Sequence, residues 1–404
     1  MSALWNCVEP AKWPSPPEEM TYSTLGTLEA CPRRWALQNA EYPGLWEGKG
    51  YPPKVVVKGL MGTIVHFVAE VVARELVRAG CTSISDGHAI QVMRALGGYS
   101  KLISEGIETT LTRVQKNPRG RIVLEHVQLS LQGKVPELRG QVQGLLAHVR
   151  LNPRAATRMK VRSGQAPTSL GPGLYTEVTL RAVGLGWKGK PDLLTVDDDG
   201  SEIVEFKTGE RREEHAFQIL IYAVLWWRDK VSNPKALPAT KLTLAYPDGC
   251  VDVPVPGAIE VLKLAEELQS RSNAALNGLT IRPPVARPTE ENCGFCEVKQ
   301  LCPAYWSTDI QPSVQPKAGE VGFADAQVVV TSRHGPASWD ATVEASGRVK
   351  PGTRLLLRVT TSRPEFHVGD RLRLINLWFG IAAEESAEIK VATVGMQCET
   401  YLVT

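Results

Sequence analysis

The chain has no apolar run approaching the ~20 residues needed to cross a bilayer. Its opening, Met1-Ser-Ala-Leu-Trp-Asn-Cys7, lacks the basic start and continuous apolar stretch of a signal peptide, so a cytoplasmic protein is expected. No Gly-x4-Gly-Lys-Ser/Thr loop occurs, which excludes a helicase or ATPase motor of that kind in this chain. Net charge is scarce: 46 Lys and Arg against 43 Asp and Glu leave +3, too little by itself to argue for a polyanionic partner. The eight cysteines of a cytoplasmic chain do not read as a disulfide framework.

What is present is ordinary for a globular protein, with 43% hydrophobic and 22% charged residues. At 404 residues the chain can build two or three domains, each with its own core. The charge is unevenly spread. Residues 81–170 hold thirteen Lys and Arg, among them Arg113, Lys116, Arg119, Arg121, Arg150, Arg154, Arg158, Lys160 and Arg162, against five Asp and Glu. Such an excess suits a phosphate-binding surface, because each contact releases condensed counterions. A solvated helical face has the same composition.

Residues 1–20 form a Pro- and Trp-rich irregular lead-in, and a short helix then runs into Cys31-Pro32. From Gly59 to Arg78, Leu60, Ile64, Phe67, Val68, Val71, Val72 and Leu76 recur at helical spacing. Several helices follow, broken at Gly97-Gly98, Asn117-Pro118 and Asn152-Pro153, so 81–170 is a basic helical insertion. Leu174–Ala182, Trp187–Val196 and Glu202–Phe206 read as three β runs, followed by a helix over 213–228, a strand over 241–246 and a helix over 257–276. The expected fold class is α/β, with helix, three strands, helix and strand in that order. Residues 308–320 read as a linker. Residues 321–404 alternate apolar and polar residues between Gly/Pro turns, which predicts a small all-β domain, an OB-like barrel ahead of an open sandwich.

Chemistry concentrates in the first part. Asp192 follows Gly189-Lys190-Pro191 on the second β run, and Glu205 and Lys207 leave the same side of the third. Two carboxylates give hard oxygen ligands for Mg²⁺ or Mn²⁺. A lysine beside them can position water and stabilise charge on a phosphate. Phe206 between them should face the core and turn its carbonyl to the metal. His66, four residues after Gly62 on the preceding helix, is a further candidate ligand, and Gly62 would let that helix approach the sheet. Glu177 could join through water or orient Lys207, or be a surface carboxylate. Gln218 and Tyr222, at i and i+4, share a helix face that can reach nucleic acid near the metal.

The ordered set Gly62-x-x-x-His66, Gly189-x-x-Asp192, Glu205-x-Lys207 and Gln218-x-x-x-Tyr222 resembles the PD-(D/E)XK nuclease superfamily, in its RecB-type branch, over residues 20–306. The resemblance implies a restriction-endonuclease-like αβββαβ core, His66, Asp192 and Glu205 as metal ligands, and Lys207 as the catalytic lysine. Cys31-Pro32 and the triplet Cys293-x2-Cys296-x5-Cys302 offer four thiolates, which suit either Zn²⁺ or an iron–sulfur cluster. The division of one distant cysteine and three clustered ones is similar to the iron–sulfur staple of AddB-type and CRISPR-adaptation nucleases. It implies a 4Fe–4S cluster, with Phe295, Tyr305 and Trp306 as its shield. The remaining cysteines, Cys7, Cys81, Cys250 and Cys398, read as small, buried and inert.

The resulting expectation is a metal-dependent DNA exonuclease or end-processing nuclease, acting on single strands or ends in repair, recombination or defence. Unwinding would come from a helicase, ATPase or defence-complex partner. The alternative is a non-catalytic nucleic-acid-binding or scaffold subunit. In the β-domain, Arg354, Arg358, Arg371, Arg373, Trp378 and Phe379 are available to hold single-stranded DNA by charge and stacking, or the domain docks a partner protein.

Overall fold

The fold is that of a computed structural model, which describes residues 5–46, 48–151, 169–198, 200–314, 322–360, 366–380 and 389–403. Strand β1 (Trp5–Cys7) precedes α1 (Tyr22–Ala30), α2 (Pro32–Asn39) and the long α3 (Val57–Arg78). A helical segment follows: α4 (Ala89–Ala95), α5 (Gly98–Lys116), α6 (Pro118–Arg121), α7 (Leu124–Gly133) and α8 (Val135–His148). The chain then lays down β2 (Gly173–Thr176), β3 (Leu180–Ala182), β4 (Trp187–Gly189), β5 (Leu193–Val196) and β6 (Ser201–Phe206). After them come α9 (Glu213–Arg228), β7 (Lys241–Tyr246), β8 (Gly249–Val253) and α10 (Ala258–Asn277). Two short helices, α11 (Glu290–Gly294) and α12 (Gln311–Val314), lead to β9 (Gly322–Gly335), β10 (Ser338–Ser346), β11 (Arg354–Val359), β12 (Arg371–Phe379), β13 (Ile389–Val394) and β14 (Glu399–Val403). No helix among the described residues is long and apolar enough to cross a membrane.

The first sheet has the order β2-β5-β6-β7-β8. Only β6 and β7 pair in parallel, joined by the crossover helix α9, and the other pairs are antiparallel. Adjacent residues of its central strands serve opposite cores. Leu194, Ile203, Leu242 and Leu244 pack with α1, α9 and α10, whereas Leu193, Val204, Phe206 and Ala245 pack with α3, α5 and α8. Burial on both faces explains why these strands read as nearly continuous apolar runs.

Two of the expected β runs are each two strands. The first breaks at Glu177, whose φ of +53° leaves the extended region. The second breaks at Pro191, which has no N–H for a ladder. The pieces β3 and β4 form a separate hairpin, Leu180 opposite Gly189. Strand β8, absent from the sequence reading, was signalled by Tyr246-Pro247-Asp248-Gly249, a turn sequence between two β-prone runs.

Strands β9, β10, β11, β13 and β12 pair in that order and β12 returns to β9, a closed ring of five. Its interior holds Val328, Val330, Trp339, Leu357, Leu374 and Phe379, among others. Strand β14 adds to β12, and residues 5–7 of the expected irregular lead-in are a strand parallel to it, with Trp5 opposite Tyr401. Within the expected linker, Gln311–Val314 make one helical turn, and residues 315–321 lie outside the described set. Leu37, Tyr42, Tyr51, Leu301, Tyr305 and Trp306 share a core with Ile375 and Tyr401, which joins the ring to the rest of the chain.

Candidate active site

Four elements converge at one end of β5 and β6. Asp192 stands one residue before β5. Its Oδ2 accepts the Phe206 N–H at 2.6 Å, and its Oδ1 lies 2.9 Å from Nδ1 of His66. Gly62 explains how α3 comes so near: a Cβ there would sit 3.2 Å from Oγ1 of Thr208, in the turn after β6. One helical turn later His66 meets Asp192 and sets its ring edge-on to Phe206, centroids 5.9 Å apart. Phe206 is buried, and its N–H is committed to Asp192.

Glu205 and Lys207 leave the same face of β6, as alternation requires. Lys207 Nζ lies 3.0 Å from Glu205 Oε1 and donates to Gln218 Oε1 at 2.7 Å. Gln218 in turn donates from Nε2 to Glu205 Oε1 and to the Tyr222 hydroxyl, both at 2.8 Å. The Gln218 amide is thus turned inward onto the acid and the amine, where the sequence reading aimed it at nucleic acid. Gly189 makes room for this arrangement, because a Cβ at that position would come within 2.7 Å of the Tyr222 ring.

Sequence reasoning missed Glu70. It stands one turn beyond His66, and donor atoms of His66, Glu70 and Asp192 all lie within 4.8 Å of one another, the single such trio among the described residues. The signal was the i, i+4 spacing of a histidine and a carboxylate on one helix. Glu177 is half exposed, with its carboxylate 3.5 Å from Lys190 Nζ. Its charge nevertheless reaches Glu70.

The electrostatics at this edge favour positive charge. Burial, then the charge of Asp192, pushes Glu205 up to about 8 against the pull of Lys207 and His66. Burial, then Glu177 and Asp192, pushes Glu70 up to about 7. Burial works against a charged His66, yet the hydrogen bond and charge of Asp192 win and raise its pKa. Oε2 of Glu205 is buried without a hydrogen-bond partner. His66, Glu70 and Asp192 form a donor set that fits a hard divalent ion, whereas Glu205, an expected ligand, lies outside that trio and adds an unsatisfied carboxylate oxygen nearby.

The profile of the PD-(D/E)XK nuclease superfamily matches residues 19–303. The chain belongs to that superfamily. No curated protein matches it. For this nuclease-superfamily chain, the matched span takes in all four converging elements and the four clustered cysteines.

Cys31, at the junction of α1 and α2, lines one cavity with Cys293, Cys296 and Cys302. Arg33, Arg34, Arg287 and Lys299 line it too, so the thiols face a cationic wall. Burial pushes the thiols of Cys293 and Cys296 up to about 11 and about 12. Tyr305 and Trp306 are buried beside them, but Phe295 is 84% exposed and shields nothing, because the turn from Cys293 to Cys296 faces it outward. Of the cysteines expected to be buried, Cys81 and Cys398 are, Cys7 is half-buried, and Cys250 is exposed on the edge strand β8.

The basic residues divide. Arg113, Lys116, Arg121 and Arg150 are exposed, whereas Arg119 is buried in an ion pair with Glu399. Arg154, Arg158, Lys160, Arg162 and the Asn152-Pro153 break lie outside the described residues. On the ring of strands, Arg354, Arg358 and Trp378 are exposed. Phe379 is in the interior, Arg371 is held by Glu344, and Arg373 is spent on Gln327 and the Gln300 carbonyl.

Proposed function

We propose that the chain is a Mg²⁺- or Mn²⁺-dependent deoxyribonuclease that processes single strands or DNA ends. The observation that carries this reading is the buried, partnerless oxygen of Glu205 beside the His66, Glu70 and Asp192 trio, with an ammonium group fixed next to it. His66, Glu70, Asp192 and Glu205 would hold the ion, and the Phe206 carbonyl is a further donor. A bound divalent ion acidifies water and offsets charge on the scissile phosphate. Lys207, held by Gln218 and Glu205, presents positive charge to the phosphate as its own charge builds. Tyr222 fixes the amide that fixes Lys207.

The decisive test is digestion of end-labelled single- and double-stranded DNA with Mg²⁺, Mn²⁺, Ca²⁺ or EDTA, beside Asp192→Ala. Cleavage that needs Mg²⁺ or Mn²⁺ and is lost in the variant supports the reading. Cleavage surviving Asp192→Ala sinks it.

The four cysteines support a 4Fe–4S cluster over zinc. The four sulfurs line a single cavity with Arg33, Arg34, Arg287 and Lys299, a cationic surround that suits an anionic iron–sulfur core. Iron and zinc quantification with visible absorbance of anaerobically prepared protein decides between them. The closed five-strand ring supports the OB-like reading, and its exposed Trp378, Arg354 and Arg358 support a role in holding single strands. A motor that unwinds duplex would be a partner, in repair or in defence.

A further inference from the structure

A stack of side chains on the other flank of Lys207 is left over by the metal-site reading. His215 precedes Gln218 by three residues and Tyr222 by seven, so the three share one stripe of α9. Its Nδ1 lies 2.9 Å from the Tyr246 hydroxyl, and the two rings are tilted 32° with centroids 5.9 Å apart. Tyr246 ends β7. In the parallel register Leu244 stands beside Glu205 and Ala245 beside Phe206, and Lys207 N–H donates to the Ala245 carbonyl. Tyr246 therefore leaves the sheet on the face that carries Glu205 and Lys207. Arg211 covers that ring with its guanidinium carbon 5.1 Å from the centroid, and is itself held by Asp248 at 3.0 Å.

The protonation state follows from the neighbours. Burial, then the charges of Lys207 and Arg212, lowers the His215 pKa against the pull of Glu214. Burial raises that of Tyr246, so the phenol keeps its proton. In the tautomer whose Nδ1 accepts this proton, the neutral imidazole carries its own on Nε2 and offers it outward as a donor.

We propose that His215, hydrogen-bonded to a Tyr246 whose ring Arg211 covers, is a substrate-binding residue whose Nε2–H contacts a non-bridging oxygen of the phosphodiester linkage next to the scissile one. The inference rests on the nuclease reading and adds a strand-positioning contact outside the metal ligands and the Glu205, Lys207, Gln218 and Tyr222 network.

The test uses the full chain and a single-stranded oligonucleotide. Binding is measured in Ca²⁺ on the Asp192→Ala background, and turnover in Mg²⁺ on the parent. A net hydrogen bond to phosphate predicts that His215→Ala weakens binding and raises KM about fivefold, with kcat changed less than about twofold. His215→Gln, which keeps a donor, should recover most of the loss, and Tyr246→Phe should lose about twofold. A methylphosphonate at the flanking linkage should weaken the parent as much as His215→Ala does, and should not weaken that variant further. Unchanged binding by His215→Ala, a fall in kcat at constant KM, or additive losses with the methylphosphonate would each overturn the proposal. A parent chain that neither binds nor cuts DNA would instead overturn the nuclease reading, and this inference with it.

Discussion

The two oxygens of Glu205 meet different fates: Oε1 receives Lys207 and Gln218, while Oε2 has no partner. Without a divalent ion, the fold holds protons on Glu205 up to about 8 and on Glu70 up to about 7, against 4.5 for a free carboxyl. A carboxyl with a raised folded pKa adds stability below the unfolded value and loses it as pH climbs through the folded one. The melting temperature of EDTA-treated protein should therefore fall between about pH 5 and 8. Mn²⁺ should restore more at the upper end, and Glu205→Gln should flatten the profile. A metal-free melting temperature that rises steadily over this interval, whatever stands at 205, would contradict the assignment. Glu70→Gln should weaken Mn²⁺ binding roughly tenfold or more by calorimetry, because a charged oxygen donor becomes a neutral one. Glu70 escaped the sequence reading because an acid within an apolar helix looks like its solvent face. His66 was legible since Gly62, one helical turn before it, and the strand acids gave it a context.

At the scale of elements, two glycines govern how closely helices reach the edge that carries Asp192 and Glu205. Gly189→Ala would press a methyl group to 2.7 Å from the Tyr222 ring and 2.8 Å from Leu225, both on the packed face of α9. The expected cost is about 1–3 kcal/mol by denaturant titration, together with loss of cleavage as Tyr222 and then Gln218 shift. Gly62→Ala meets only the Thr208 hydroxyl, at 3.2 Å, and should cost less than its counterpart. Equal costs for the two would show that packing against Tyr222 is not what Gly189 serves. The strands themselves were legible where periodicity and turn residues agreed, as at Ser201–Phe206 and Lys241–Tyr246. They were misread where a backbone event interrupts an apolar run, at Glu177 and Pro191. Composition reports the run, but φ at Glu177 is set by tertiary packing that local propensity does not contain.

Across the whole molecule, the cysteine segment is the joint between the matched nuclease region and the five-strand ring. Lys299 and Tyr305 both reach Asp325, at 2.6 Å each, and Arg373 donates to the Gln300 carbonyl while lying over Trp306. Arg119 completes the joint. Its guanidinium holds both oxygens of Glu399 at 2.8 Å and the Glu297 carbonyl at 2.7 Å, so one buried side chain ties the helical segment, the residue after Cys296 and strand β14 together. None of this was legible in the sequence, where Arg119 counted only as one of thirteen basic residues; its partner lies 280 positions away. Breaking a buried pair by removing one member leaves the other uncompensated, at a cost of about 3–5 kcal/mol. Glu399→Gln should therefore loosen the ring, read as an earlier separate melting step, while Arg119→Met with Glu399→Leu should recover part of the loss. Glu399 is held below the usual carboxylate range: burial opposes its charge, but Arg119 prevails. Its contribution is accordingly present above the unfolded pKa and lost as pH falls through the folded one. Acid should release the ring in the parent protein, with no further effect of pH through this pair in the double variant; equal acid sensitivity in both would place the joint elsewhere.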